Sequence, residues 1–234
     1  MIIDRVAHVL ARRLARWRSA PALHPHGVLC TGTLTVPDAG TGWGVPWLDG
    51  SGSYPVTVRW SRALGLPRGL PDGLGLAVRV EGADGPGSTL DLLFTSSRPG
   101  RFGRHMPLPR SDALKGPYST LLSYRVGDRA RVLAAFPVHD PDARREDVRP
   151  TLWQELARRP VRFALRAAAP DEPWRTFATL SLEAAHTAPP TGTVSYDPYA
   201  HHLPGLHPTE RLRRLRDAAY TGSRHGRTAD DRDR

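Results

Sequence analysis

The sequence has one cysteine, one lysine and no long apolar run. The scarcity of cysteine and the absence of a long apolar run each exclude a class of structure. Cys30 is the only cysteine, so the fold cannot depend on an intramolecular disulfide. No run of about 18 apolar residues occurs, so no membrane-spanning helix is predicted. The sequence also has no secretory apolar segment, and a cytoplasmic location is therefore expected.

Acidic residues are outnumbered by basic ones, which gives a formal net charge of +10 and an isoelectric point near 10.8. Such a charge is typical of proteins that bind nucleic acid or acidic membranes. Lys115 is nevertheless the only lysine, and the abundance of arginine, alanine, glycine and proline is typical of GC-rich coding. No basic stripe interleaved with aromatic residues is evident in the sequence. We therefore expect no nucleic-acid partner. A basic barrel that binds nucleic acid is kept only as a third hypothesis, after the two that are given below.

Short runs rich in valine, leucine and threonine, separated by glycine and proline, predict β-strands. These runs are 28–36, 54–60, 74–81, 89–95, 129–138, 160–168 and 176–185. A helix is predicted at 149–158, and an amphipathic helix at 1–18. The predicted fold is α+β, mainly an antiparallel eight-stranded β-barrel with an N-terminal and a C-terminal helix. Residues 1–227 are expected to form a single domain, and the charged tail 228–234 is expected to be disordered.

The glycines and histidines of the sequence predict neither a phosphate loop nor a zinc site. Gly32, Gly73 and Gly75 are interpreted as strand bends and not as a phosphate loop, because no helix with a lysine follows them. No histidine spacing is typical of a zinc site, and the adjacent His201 and His202 are only a weak metal pattern.

Near the end of the chain, Arg216 precedes Tyr220 by four residues. On a helix this spacing places both side chains on one face. A guanidinium beside a phenol favours the phenolate, and tyrosinate is one of the few protein groups that bind haem iron. The alternative interpretation is the solvated, salt-bridging face of an arginine-rich helix.

The residues around this pair occur in a specific order. Tyr196-Asp-Pro198, Pro204-Gly205 and Pro208 precede the arginine-rich helix. Near the N-terminus, Leu23-His24-Pro25-His26-Gly27 leads into the first predicted strand, and Tyr54-Pro-Val-Thr-Val-Arg59-Trp-Ser61 forms the second. These blocks resemble segments of the catalase family: the haem-ligand segment, the distal-histidine segment and the strand Pro-Val-x-Val-Arg-Phe/Trp-Ser. The strand 71–80 and Asp91-Leu-Leu93 are similar to two further catalase strands, whereas residues 98–190 match poorly.

The resemblance implies a cofactor, haem b, and a role for each matching residue. Tyr220 would be the iron ligand with Arg216 beside it, and His24 the distal acid–base group. Ser61 would hydrogen-bond His24, while Arg59 and Arg227 would pair with the haem propionates. Thr95 lies nearest to the position of the family's distal asparagine.

The implied function is a haem-dependent peroxidase that reduces hydrogen peroxide or organic hydroperoxides with a small-molecule reductant. Because Thr95 is shorter than an asparagine, weak or absent catalase activity is expected. The alternative is a haem-binding or lipid-associated protein without efficient turnover. Catalases are longer than this chain, and a monomer or dimer is expected here.

Overall fold

The computed structural model describes ten strands and two short α-helices within residues 27–38, 42–63, 66, 69–138, 152–186 and 195–209. The strands are β1 (Val28–Val36), β2 (Gly52–Arg62), β3 (Leu74–Glu81), β4 (Thr89–Ser96), β5 (Tyr118–Ser119), β6 (Tyr124–Val126), β7 (Arg129–Pro137), β8 (Val161–Ala168), β9 (Arg175–His186) and β10 (Leu206–Pro208). The helices are α1 (Pro46–Asp49) and α2 (Leu152–Arg158), and a 3₁₀ turn spans Gly103–His105. In these ranges no helix combines the length and the apolar character that crossing a bilayer requires.

Eight of the strands close into a barrel. The order around it is β1, β2, β3, β4, β5, β7, β8 and β9, and β9 pairs with β1 again. Every pairing is antiparallel. Outside the ring, β6 pairs with the start of β7 and β10 pairs with β6. The predicted eight-stranded antiparallel barrel is confirmed, and its closure removes free sheet edges from the ring.

Alternating side chains of the barrel strands build the core. In β3, alternate residues from Leu74 to Val80 are at most 1% exposed, whereas Ala77 and Arg79 between them are half-buried. Because successive side chains of a strand point to opposite faces, the first set lies inside the barrel. The side of the sheet that carries Ala77 and Arg79 is called the outer face below.

All seven strands predicted from the sequence are present, with ends that differ by at most two residues. The strand that completes the barrel, β5, is only two residues long and has no periodicity to detect. Strand β10 lies at the end of the proline-rich segment 187–208, whose sequence has no periodicity. Helix α2 lies within the predicted helix 149–158, whereas the predicted terminal helices fall outside the described residues.

Gly32 coincides with an irregularity in β1. The pairing of β1 with β9 shifts register between Thr31 and Gly32, which agrees with the interpretation of Gly32 as a strand bend. A Cβ atom on Gly32 would lie 2.0 Å from the carbonyl oxygen of Ser181. The backbone of β9 therefore occupies the space that any side chain at this position would need.

The substitution Gly32→Ala is expected to lower the free energy of unfolding by about 2–3 kcal/mol, because the β9 backbone must move aside. Gly100→Ala is the matched control, since a Cβ at Gly100 meets nothing within 4 Å. Urea unfolding of the two variants measures the difference. Equal stability of both variants would show that the barrel accommodates a methyl group at Gly32.

Candidate functional site on the outer face of β2, β3 and β4

Three of the predicted site residues lie on the outer face of neighbouring strands. Arg59 and Ser61 belong to β2 and Thr95 to β4, with β3 between them. Ser61 pairs with Gly75, which pairs with Thr95. Directly paired residues project to the same face, so the two hydroxyls flank Gly75 at roughly 10 Å from each other, two strand spacings. Ser61 is 8% exposed and Thr95 4%.

The residues of β3 next to these hydroxyls have very small side chains or none. Gly75 has none, and the next residue on the same face is Ala77. Ala77 lies between Arg59 of β2 and Leu93 of β4. We call Gly75 and Ala77 the floor of the site. Residues this small let another group approach the backbone closely on the outer face.

Arg59 borders the floor on the side of β1. A Cβ atom on Gly27 would lie 2.9 Å from Arg59 Nε and 3.3 Å from the carbonyl oxygen of Trp60. The side chain of Arg59 therefore passes over the backbone at Gly27, where a larger residue would displace it. The absence of a side chain at Gly27 thus helps to position the guanidinium group.

Beside the floor, Arg79 and Asp91 form a bidentate ion pair across β3 and β4. Arg79 Nε donates to Asp91 Oδ1 at 2.8 Å, and Nη2 donates to Oδ2 at 2.7 Å. Asp91 is 0% exposed, and a buried carboxylate is stable only when it is paired and hydrogen-bonded. The hydrogen bond to Asp91 raises the pKa of Arg79 above its ordinary value, against the lowering effect of burial.

Asp91 also holds the segment 195–201, which follows the barrel in the sequence. The backbone N–H of Asp197 donates to Asp91 Oδ2 at 2.7 Å, and His201 Nδ1 lies 2.8 Å from the same oxygen. The backbone N–H of Asp91 donates to the carbonyl of His201 at 3.0 Å. Arg79 adds a hydrogen bond from Nη2 to the carbonyl of Ser195 at 2.7 Å. The segment is therefore attached to the outer face next to the floor.

Tyr196, within this segment, supplies a polar group near Arg59 and Arg79. The guanidinium carbon of Arg79 lies 5.3 Å from the centroid of the tyrosine ring. Burial raises the pKa of the Tyr196 phenol, and the charges of Arg79 and Arg59 offset only part of this rise. The phenol therefore stays protonated at neutral pH. Its oxygen is buried and has no hydrogen-bond partner within the described part of the chain.

No sequence pattern predicts this ion-pair network. In the sequence, Arg79 and Asp91 are recognisable only as parts of family-like strands, and His201 only as half of a weak metal pattern. The available signal was the charged Asp91 within the otherwise apolar run 90–94 of β4, where a buried charge requires partners.

The remaining predicted site residues, His24, Arg216, Tyr220 and Arg227, lie outside the described residues, so their roles and positions stay predictions. Among the residues that are described, no group of three or more histidine, cysteine, aspartate or glutamate side chains is arranged to hold a metal ion.

Comparison with solved structures identifies the fold. The chain superposes on catalase A from Saccharomyces cerevisiae with a TM-score of 0.58 and 11% identity, covering 93% of this chain and 62% of that one. A second fungal catalase matches with a TM-score of 0.53 and 14% identity, covering 93% of this chain and 60% of that one. The chain has a catalase-like fold.

At these identities the likeness shows the fold alone. The chain spans about three-fifths of the length of the two catalases. It matches no protein-family model, and no curated protein matches its sequence.

Proposed function

We propose that this protein is a haem-dependent peroxidase that reduces hydrogen peroxide or organic hydroperoxides with electrons from a small-molecule reductant. The main support is the floor of small residues, with Gly75 between Ser61 and Thr95 and Ala77 beside Arg59, on a barrel with a catalase-like fold. A second support is independent of the structure: the order of the sequence blocks that carry His24 and Tyr220.

Two features of the described residues support haem b as the cofactor in this proposal. The floor suits a planar macrocycle, and Arg59 offers a guanidinium group that can pair with a propionate carboxylate. The buried hydroxyl of Tyr196, which lacks a hydrogen-bond partner within the described ranges, is a second donor near this edge. From the sequence, Tyr220 is assigned as the iron ligand with Arg216 beside it, and Arg227 as the partner of the other propionate.

Haem, when bound, supplies an iron centre at which a peroxide is reduced. In this proposal His24 moves a proton from one peroxide oxygen to the other, so that the departing oxygen leaves as water or an alcohol. Ser61 orients the imidazole through one hydrogen bond and thereby selects its tautomer.

A haem-binding protein without efficient catalase turnover is the second candidate, and Thr95 favours it. Thr95 lies nearest to the position where the resemblance places an asparagine, and a hydroxyl is shorter than a carboxamide. Oxygen release from hydrogen peroxide distinguishes the two candidates from a true catalase. Peroxidase turnover with little oxygen release supports the first candidate, and binding of haem with neither activity supports the second.

The floor itself is tested by the substitution Ala77→Trp. Haem affinity is expected to fall about tenfold or more, because filling a packed contact surface costs about 1–3 kcal/mol. Ala164→Trp is the matched control, since Ala164 is also a half-buried outer-face alanine but lies on β8. Absorbance titration with haem measures both variants. Equal loss in both variants would remove the floor from the proposal.

The cofactor is tested separately. Protein produced with haem supplied is expected to show a haem absorption band, and Tyr220→Phe is expected to change that spectrum because the iron ligand is lost. A protein without any haem band, or a variant with an unaltered spectrum, would reject the proposed function.

A further inference from the structure

The connection between β4 and β5 presents two large apolar side chains to solvent. Phe102 is 81% exposed and Met106 54%, on either side of the 3₁₀ turn Gly103–His105. Within the described ranges Phe102 is the most exposed large hydrophobic residue. Arg104, two residues later, is only 6% exposed. The usual preference for buried aromatic and exposed arginine side chains is therefore reversed at this turn.

Contacts beneath the turn maintain this reversal. The guanidinium carbon of Arg104 lies 4.6 Å from the centroid of the Trp174 ring, a cation–π arrangement. Trp174 Nε1 donates to the carbonyl of Pro99 at 2.9 Å, and Ser119 Oγ donates to the carbonyl of Arg104 at 2.5 Å. The space against the barrel is thus filled by Arg104, and the neighbouring Phe102 is held outside it.

The surroundings of the exposed side chains are positively charged. Arg98 and Arg101 are both exposed. The sequence from Leu92 to Ser111 contains two further arginines, Arg104 and Arg110, which are buried, and neither aspartate nor glutamate. A partner that complements this surface must therefore accept apolar side chains and supply negative charge at the same place.

We propose that residues 98–106 dock the protein on an anionic phospholipid bilayer. In this arrangement Phe102 and Met106 enter the boundary between headgroups and acyl chains, while Arg98 and Arg101 pair with lipid phosphates. A bilayer meets both requirements over one continuous surface. Single-stranded nucleic acid is less suitable, because its sites stack successive bases on several aromatic rings and Phe102 is the only aromatic residue of this loop.

Co-sedimentation of the full chain with lipid vesicles tests the proposal. Binding is expected to phosphatidylcholine vesicles that contain phosphatidylserine, and not to phosphatidylcholine alone. Phe102→Ser should weaken this binding by about tenfold, from the lost burial of the ring. Arg101→Gln should weaken it about fivefold, from about 1 kcal/mol per basic residue near the surface.

Two controls match these variants in residue type. Arg125→Gln removes an exposed arginine of β6, and Trp153→Ser removes a large apolar residue of α2 that is 37% exposed. Both are expected to change vesicle affinity by less than about twofold, because neither residue belongs to the proposed lipid contact. Circular dichroism establishes that all four variants are folded before binding is measured.

Three results would overturn the proposal. One is vesicle binding that does not depend on phosphatidylserine, or a loss of affinity in the control variants as large as that in Phe102→Ser and Arg101→Gln. Another is the absence of vesicle binding together with a single-stranded RNA complex that Phe102→Ser weakens. The third is the absence of vesicle binding together with a dimer that Phe102→Ser dissociates, which would assign the loop to a second copy of the chain.

Discussion

The substitution His24→Ala is expected to lower the rate of peroxide reduction by about 10²–10⁴-fold, the usual contribution of a general acid–base group. Haem binding should persist, because the proposed iron ligand is Tyr220 and not His24. Steady-state oxidation of a phenolic reductant, at equal concentrations of haem-loaded protein, measures the change. Added imidazole should restore part of the lost rate, since a free base can replace the missing side chain in proton transfer.

His26→Ala is the matched control, because His26 is the same residue type two positions away. Its rate is expected to stay within about threefold of the unmodified protein, since the resemblance gives His26 no role in proton transfer. A large loss in His26→Ala with none in His24→Ala would transfer the acid–base role to His26. Unchanged rates in both variants would remove histidine from the proposed chemistry.

The substitution Asp91→Ala is expected to lower the free energy of unfolding by about 3–5 kcal/mol, the usual result of removing one partner of a buried ion pair. Arg79 would lose its bidentate acceptor. The backbone N–H of Asp197 and the ring of His201 would lose the carboxylate oxygen that now joins them to β4. Urea unfolding followed by tryptophan fluorescence measures the loss.

Asp171→Ala is the corresponding control, because Asp171 also pairs with an arginine, Arg129, at 2.8 Å. Its side chain is 66% exposed, and exposed pairs of this kind contribute about 1 kcal/mol or less. In the double variant Asp91→Ala/Arg79→Ala the two effects should not add, because each substitution removes the same interaction. A loss from Asp91→Ala no larger than that from Asp171→Ala would contradict the structural role of the network.

The strands were predictable because their signal is local. In β3, large apolar residues occur at every second position from Leu74 to Val80, a pattern that is typical of a strand with one buried face. Strands β5, β6 and β10 have two or three residues each, too few to show a period. They exist because neighbouring strands offer them hydrogen-bonding partners: β5 and β6 pair with the longer β7, and β10 pairs with β6.

The candidate site was predictable in part. Arg59, Ser61 and Thr95 were selected by resemblance, and the structure brings all three to one face of neighbouring strands. Their roles toward haem stay predictions. The floor could not be derived beforehand, because a glycine and an alanine in a strand carry no chemical signal until the register places them between those side chains.

The sequence by itself determined the strand positions, the excess of positive charge and the set of residues that resemble a haem site, since each of these is a property of the chain order. Only the tertiary structure decided how Asp91 meets His201, 110 positions later, and why Arg104 is buried while Phe102 is exposed. Such contacts depend on which surfaces meet when the barrel closes. No local pattern encodes that choice, because closure is a property of all eight strands together.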